Sequence, residues 1–489
     1  MSLRHLVLAR WRDGDRIGLL LAAAFLWLAV PLGILLIATV PPGQAPDEGV
    51  HAARLASLVS GQFVGHRGRA ESLFGTQVMA GVDADLGIVG ATAFLRDSGQ
   101  RIVTLDQMAA ARIMPWYGTD VFLGIGMTSS YFPTFYLPAA AVVAGSRALG
   151  IKPLPAVMAA RALNFLLYAA GAIAALLLAQ RGQLLIFGAL AAPLPLCLGA
   201  SLNQDGLMLA AAALAAALLS RRVAESRLDG NLILGAVLLA AIALAKAPYA
   251  ALCCLLLFPL PPLRQWRVLA ARVAIALGTV LPALAWSGYV AANVMGGVPF
   301  APYQPGPLWP GPRPFEVFGA DPTLQAQVMA AHPVQLLAMA LETVFPPWRM
   351  LPDMFGGIGF LDIVLPRTLY LLGGIAACFA LLGDMSVRGP ARPVALVEFL
   401  ITALAAIAAA IGVCLSLYLT WTPVGAAFIH GMTGRYLLPL LPALAITLPR
   451  LPMPRGAVLR IACCVPLVLA LAACLALLPA TIVTAHYLR

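Results

Sequence analysis

The residues best suited to chemistry gather first in Pro46-Asp47-Glu48, with His51 and Arg54 following Asp47 at i+4 and i+7. On a helix those polar side chains share one face while Leu55, Leu58 and Val59 line another, the pattern of a helix lying in a membrane interface. Asp47 has a purely structural explanation as an N-cap. A cap needs only one short polar residue, however, and does not account for the Asp-Glu pair or for His and Arg on the next turns. Adjacent side chains diverge on a helix, so Asp47 and Glu48 are not expected to act as a dyad, and one carboxylate serving as general base is the simpler chemistry.

Later segments add Arg161 and Asn164, Asn203 and Asp205, Lys246 with Tyr249, and Arg435 with Tyr436. Lys246 and Arg435 supply the cations that a lipid phosphate requires, and Tyr249 and Tyr436 beside them are interfacial aromatics. Asp47, Glu48 and Asp205 are the oxygen ligands available to Mg²⁺ or Mn²⁺. With two cations at hand a metal is optional, and no cofactor is required.

What must position these groups is a bundle of membrane helices. Of the 489 residues, 61% are hydrophobic and 10% charged, against about a quarter charged in soluble domains. Apolar runs recur along the whole chain, and about 20 helical residues cross a hydrocarbon core. The net charge of +11 falls in short clusters between those runs, as topology signals do, which argues against a nucleic-acid partner. All eight cysteines lie in apolar segments without metal-ligand spacing, so neither a disulfide framework nor a zinc site is expected.

Arg4, Arg10, Arg12 and Arg16 precede an apolar stretch from Ile17 to Val40, too long for a signal-peptide core and read as the first span. With the N-terminus cytoplasmic, residues 41–155 form a large outer loop. Tyr131 to Leu149 is apolar enough to cross, but counting it as a span puts Arg221, Arg222, Arg227, Arg264, Arg267 and Arg272 outside, against the positive-inside rule. It is therefore expected to be a juxtamembrane helix.

Spans follow at roughly 157–180, 183–200, 206–220, 230–246, 249–263 and 270–291, then 366–383, 394–417, 436–449 and 461–480, for about eleven in all. Residues 292–365 form a second outer segment with one amphipathic helix near Val334 to Val344. Arg388, Arg392 and Arg450 to Arg460 fall inside, and Arg489 outside. The expected fold is thus all-α and polytopic, divided at 1–40, 41–155, 156–291, 292–365 and 366–489, with no soluble domain.

Under this topology Asp47, Arg161, Asn203, Asp205, Lys246 and Arg435 all approach the outer face. A transporter pathway needs polar groups at several depths; a set at one leaflet fits a surface-facing site better, although a lone Arg or Asp at a helix end is often an anchor or cap. P-loop, H-E-x-x-H, G-x-S-x-G and dinucleotide signatures are absent.

Taken in order, Pro46-Asp47-Glu48 with His51 and Arg54, Tyr131-Phe-Pro-Thr-Phe-Tyr136, Ser201-Leu-Asn-Gln-Asp205, Lys246-Ala-Pro-Tyr249 and Gly434-Arg435-Tyr436 before Pro439 resemble the DUF2142 membrane proteins. Those proteins are in turn similar to GT-C glycosyltransferases. The resemblance covers about residues 40–445 and implies a GT-C-like fold with juxtamembrane helices in the first periplasmic loop of a bacterial inner-membrane protein. It implies transfer of a sugar from a polyprenyl-phosphate donor to a cell-envelope glycan or lipid. Asp47 then matches the acidic position that deprotonates or orients the acceptor hydroxyl, and Asp205 a second acidic position. His51, Arg54, Arg161, Asn203, Lys246, Tyr249, Arg435 and Tyr436 are the expected substrate contacts, with membrane lipids as neighbours. A non-enzymatic flippase or export component for polyprenyl-linked glycans is the alternative, favoured if a charge such as Asp205 lies at midplane.

Overall fold

A computed structural model describes residues 16–72, 75–93, 102–222, 228–312, 316–359, 362–387, 394–452 and 456–488. Arg4, Arg10, Arg12, Arg227, Arg388, Arg392, Arg489 and part of the segment around Arg450 to Arg460, all used above as topology signals, lie outside them.

Helix α1 (Arg16–Thr39) is the first apolar span. It absorbs Pro31, which has no N–H to donate, by loosening into a π turn at Phe25–Ala29 just upstream. The described residues between 41 and 150 build a cap on one face of the bundle. Helix α2 (Glu48–Val59) leads to strands β1 (His66–Ser72) and β2 (Gly75–Asp85), then α3 (Leu86–Ala93), α4 (Leu105–Ile113), β3 (Asp120–Gly124) and α5 (Leu137–Ala148). The strands pair antiparallel in the order β1-β2-β3, with His66 opposite Gly81 and Asp83 opposite Phe122.

This cap corrects two expectations. The chain is not purely helical, because β1 reads His-Arg-Gly-Arg-Ala-Glu-Ser, a polar strand with no apolar alternation to announce it. Nor does α2 lie in the interface: Glu48 and His51 to Ser57 are all buried, since β2, α3 and α5 cover the helix. Tyr131 to Leu149 does form a short helix, α5. Its 12 residues extend about 18 Å, less than a bilayer core, and it packs on α2 and on the span that follows.

That span is α6 (Pro153–Leu178), followed by α7 (Gln183–Ala191), α8 (Pro193–Gly199), α9 (Gln204–Leu219), α10 (Gly230–Ala245), a 3₁₀ segment Ala247–Leu257 and α11 (Trp266–Asn293). Strands β4 (Pro299–Tyr303) and β5 (Val317–Gly319), then α12 (Pro322–Ala331), the expected amphipathic helix α13 (Pro333–Val344) and α14 (Leu351–Gly356) fill the second long connection. Helices α15 (Arg367–Met385) and α16 (Ala395–Thr420), the 3₁₀ segment Gly434–Leu440, α17 (Leu441–Thr447) and α18 (Gly456–Tyr487) complete the bundle.

Among the described residues six helices are long and apolar enough to cross a membrane: α1, α6, α11, α15, α16 and most of α18. A seventh appears if α8 and α9, bent 112° to each other, count as one broken span. The count of about eleven from the sequence is not met. Prolines explain part of the shortfall: Pro193 starts a new helix within 183–200, Pro248 opens a 3₁₀ segment where 249–263 was expected, and Pro439 and Pro442 do the same near 436–449. Burial explains 206–220, because α9 is enclosed along nearly its whole length; α10 exposes Ile233, Leu234 and Val237 but at 16 residues is short of the roughly 20 that cross a bilayer.

Candidate functional site

Glu48 and Arg161 form the anchor on which the site rests. Arg161, on α6, donates from Nε to Glu48 at 2.7 Å and from a terminal nitrogen to the other carboxylate oxygen. It also holds the carbonyls of Val40 and Pro41. Glu48 further accepts the backbone N–H groups of Gly43 (2.8 Å) and Leu202 (3.0 Å). Burial would push its carboxyl up, but the Arg161 guanidinium and these donors hold it below the usual range. Asn203 completes the knot by donating to the carbonyl of Pro46 and capping α9 through the N–H of Asp205. Glu48, Arg161 and Asn203 thus tie residues 40–48 to α6 and α9, and with every oxygen occupied Glu48 is a structural group.

Arg54 is also structural. It reaches the carbonyls of Phe63 (2.6 Å) and Tyr131 (3.2 Å) and the hydroxyl of Ser57, clamping the chain that leaves α2 to the chain that enters α5.

Freed from capping, Asp47 does something else. It occupies the N-cap position of α2 without making a cap hydrogen bond, at φ 55°, the sole non-glycine positive φ among the described residues. Such backbone is uncommon outside glycine and clusters where structure holds a group for use. The side chain pairs with Arg435. Beside it, Lys246 at the C-terminus of α10 pairs with Asp205 at 2.6 Å. Both cations stack on one ring: Lys246 Nζ lies 4.9 Å and the Arg435 guanidinium 4.8 Å from the Tyr436 centroid. The Tyr436 hydroxyl accepts from Arg435 (2.9 Å), and Tyr249 fixes the Tyr436 backbone by donating to its carbonyl (2.8 Å). The Tyr131 ring lies 5.4 Å from Lys246 Nζ as well.

His51, one turn beyond Asp47, sits within the field of both ion pairs. Its Nδ1 meets Tyr136 Oη at 2.5 Å, and its ring lies 6.3 Å from Tyr131. Burial lowers its pKa to about 4; Asp205 and Asp47 pull it up, and Lys246 and Arg435 push it down. The imidazole is therefore neutral at pH 7. Burial, with Tyr436, Asp205 and Asp47 nearby, raises Tyr131 well above 10, so it stays a phenol. Burial also raises the Asp47 carboxyl, but Arg435 and His51 outweigh it and the net shift is downward. The Asp47 side chain keeps 46% exposure, against 6% for Asp205, which makes Asp47 the carboxylate at the open side.

Several buried polar atoms in these segments have no protein partner: both amide atoms of Gln204, Nε of Arg435 and Oγ1 of Thr433. Orphans of that kind are rare in folded proteins and fit a site that receives a polar ligand. A divalent metal fits less well. No three His, Cys, Asp or Glu side chains gather in metal-binding geometry among the described residues, and Asp47, Asp205 and Glu48 are each engaged by a cation.

An apolar cavity of about 350 Å³ lies between α7, α15 and α18. Leu438 and Leu441, three and six residues beyond Arg435, form part of its wall together with Trp348, Met354 and Leu185. Along α15 it extends from Tyr370 to Ala380, about 15 Å at helical rise.

Residues 31–444 match the family described as predicted membrane protein (DUF2142). The chain is a DUF2142 membrane protein. Comparison with curated proteins and with solved structures returns no match.

In this DUF2142 protein the fold brings together Asp47, His51, Asp205, Lys246, Tyr249, Arg435 and Tyr436, and sets Glu48, Arg54, Arg161 and Asn203 in the scaffold around them. Sequence reasoning left Tyr131, Tyr136 and Gln204 out of the site, although all three stand in the quoted motifs. A tyrosine at each end of Tyr131-Phe-Pro-Thr-Phe-Tyr136 was the available signal.

Proposed function

We propose that this protein is a membrane glycosyltransferase that moves a sugar from a polyprenyl-phosphate carrier to a cell-envelope glycan or lipid, at the periplasmic face of a bacterial inner membrane. The observation that carries the reading is the placement of Lys246 and Arg435 on one tyrosine ring, in the same segment whose Leu438 and Leu441 wall an apolar cavity. Paired cations bind a phosphate, and the cavity takes the hydrocarbon attached to it. About 350 Å³ holds about a dozen groups the size of a water molecule, which suits the first stretch of a single isoprenoid chain better than the two chains of a phospholipid.

In this reading Lys246 and Arg435 stabilise charge on the leaving phosphate. Asp47 and Asp205 face the cationic sugar centre and orient the acceptor hydroxyl. Purified protein in proteoliposomes with polyprenyl-phosphate sugars tests it: Asp47→Asn is expected to abolish transfer while the protein remains folded, and full activity in that variant sinks the assignment.

The flippase alternative draws on the 112° break between α8 and α9, since broken helices also build transporter sites. Against it, Asp205 pairs with Lys246 and lies in the field of Asp47's partner Arg435, within the cluster at the cap. Movement of a labelled polyprenyl glycan across the bilayer without glycosyl transfer favours the alternative.

A further inference from the structure

Two carboxylates that are each tied to a cation make poor proton acceptors, yet attack by a hydroxyl on a sugar carbon needs somewhere for the proton to go. Asp47 is held by Arg435 and Asp205 by Lys246. The remaining basic group among them is the His51 imidazole, buried on α2 within the field of both pairs. Its orientation is fixed on both sides: Tyr136 Oη lies 2.5 Å from Nδ1, and the ring is flanked by Tyr131 and Tyr136 at centroid distances of 6.3 and 5.7 Å.

From this geometry we infer that His51 Nε2 accepts the acceptor hydroxyl's proton, with Tyr136 positioning the ring. The inference rests on the glycosyl-transfer reading above. With its hydrogen on Nδ1 and donated to Tyr136 Oη, the neutral ring presents the Nε2 lone pair. The acceptor oxygen then bonds to the anomeric carbon, the bond from that carbon to the carrier phosphate breaks, and the phosphate leaves with the bonding electrons. The hydroxyl proton passes to Nε2, giving an imidazolium that returns it to the departing phosphate or to water.

The same arrangement makes the base dependent on substrate. The charged and titratable groups acting on His51 are Asp47 on its own helix, Asp205 on α9, Lys246 after α10 and Arg435 in the Gly434–Leu440 segment, with the phenols of Tyr131 and Tyr136 alongside. In the free protein burial and the two cations keep the imidazole weakly basic. A lipid phosphate drawn to Lys246 and Arg435 offsets those cations and leaves the two carboxylates acting on the ring, which raises its basicity when an acceptor is to be deprotonated.

The test uses full-length protein in nanodiscs with ¹⁵N-labelled histidine, the His51 signal being assigned by its loss in His51→Gln. On adding polyprenyl phosphate, the His51 titration midpoint is expected to rise by about one unit or more from its low free value. His51→Gln is expected to lower kcat by about 10²–10⁴ while polyprenyl-phosphate binding changes by less than about threefold, and Tyr136→Phe to lower kcat by about tenfold with the ring still titrating. If polyprenyl phosphate binds and the His51 midpoint stays put, or if His51→Gln keeps kcat within about threefold, the inference fails while the glycosyltransferase reading stands. If the wild-type protein binds no polyprenyl phosphate, both fall together.

Discussion

Glu48→Gln separates structure from chemistry most sharply, because the sequence places Glu48 beside Asp47 and the fold gives it a different task. The wild-type carboxylate accepts two hydrogen bonds from Arg161 and one each from Gly43 and Leu202, with no exposed surface on either charged side chain. The amide matches its size but removes the charge, leaving Arg161 buried with neutral acceptors alone: the amide oxygen and the carbonyls of Val40 and Pro41. Breaking a buried ion pair from one side costs about 3–5 kcal/mol, a large share of a total stability of about 5–15 kcal/mol. Arg161→Met should cost a similar amount. The double variant Glu48→Leu/Arg161→Met, which removes both charges, should be less destabilised than the sum of Glu48→Leu and Arg161→Met by about 2 kcal/mol or more. Denaturant titration in lipid–detergent micelles, followed by tryptophan fluorescence, measures all of these. A Glu48→Gln protein that unfolds within about 0.5 kcal/mol of wild type but has lost transfer would refute the reasoning and return Glu48 to the chemistry.

His51 gives a pH dependence. Its pKa is about 4 in the fold, against 6.5 when exposed, so the unfolded chain binds the extra proton; the associated stability is fully present above about pH 6.5, is lost as pH falls toward 4, and amounts to about 3 kcal/mol. His51→Phe should flatten the stability profile across that window. Lys246→Met should weaken binding of a polyprenyl phosphate by about tenfold or more, the value of about 1.4 kcal/mol per decade being within that of one charge-assisted hydrogen bond; unchanged binding by scintillation proximity would remove Lys246 from the phosphate site. Gly206→Ala tests the α8–α9 bend. A Cβ there would meet the Gly199 backbone at 2.6 Å, so the variant should lose about 1–3 kcal/mol and, by moving Asp205 from Lys246, lose transfer as well.

Much was legible without a structure. The apolar runs announce a membrane protein because a chain this poor in charge has no other solvent. The positive-inside rule applied to the later clusters Arg221–Arg227 and Arg264–Arg272 was enough to read α5 as something other than a span. The motif residues were legible as types, since an Asp-Glu pair with His and Arg on successive turns exceeds what a cap requires. The span count was not legible, because hydropathy cannot distinguish a helix enclosed by protein, such as α9, from one enclosed by lipid. The β1–β3 sheet was hidden for the opposite reason: β1 is polar on both faces, so no period-two pattern marks it.

The sequence by itself determined the solvent, the polar inventory and the order in which its members arrive. The division of labour among them was decided only by the tertiary structure. Asp47 and Glu48 are neighbours in the chain, but an αL backbone turns one toward Arg435 and leaves the other to Arg161. Which cation each carboxylate meets depends on contacts between segments as far apart as α2 and the Gly434–Leu440 turn. Local spacing carries no information about such pairings; they follow from how the bundle packs and from the high cost of leaving any of these charges buried alone.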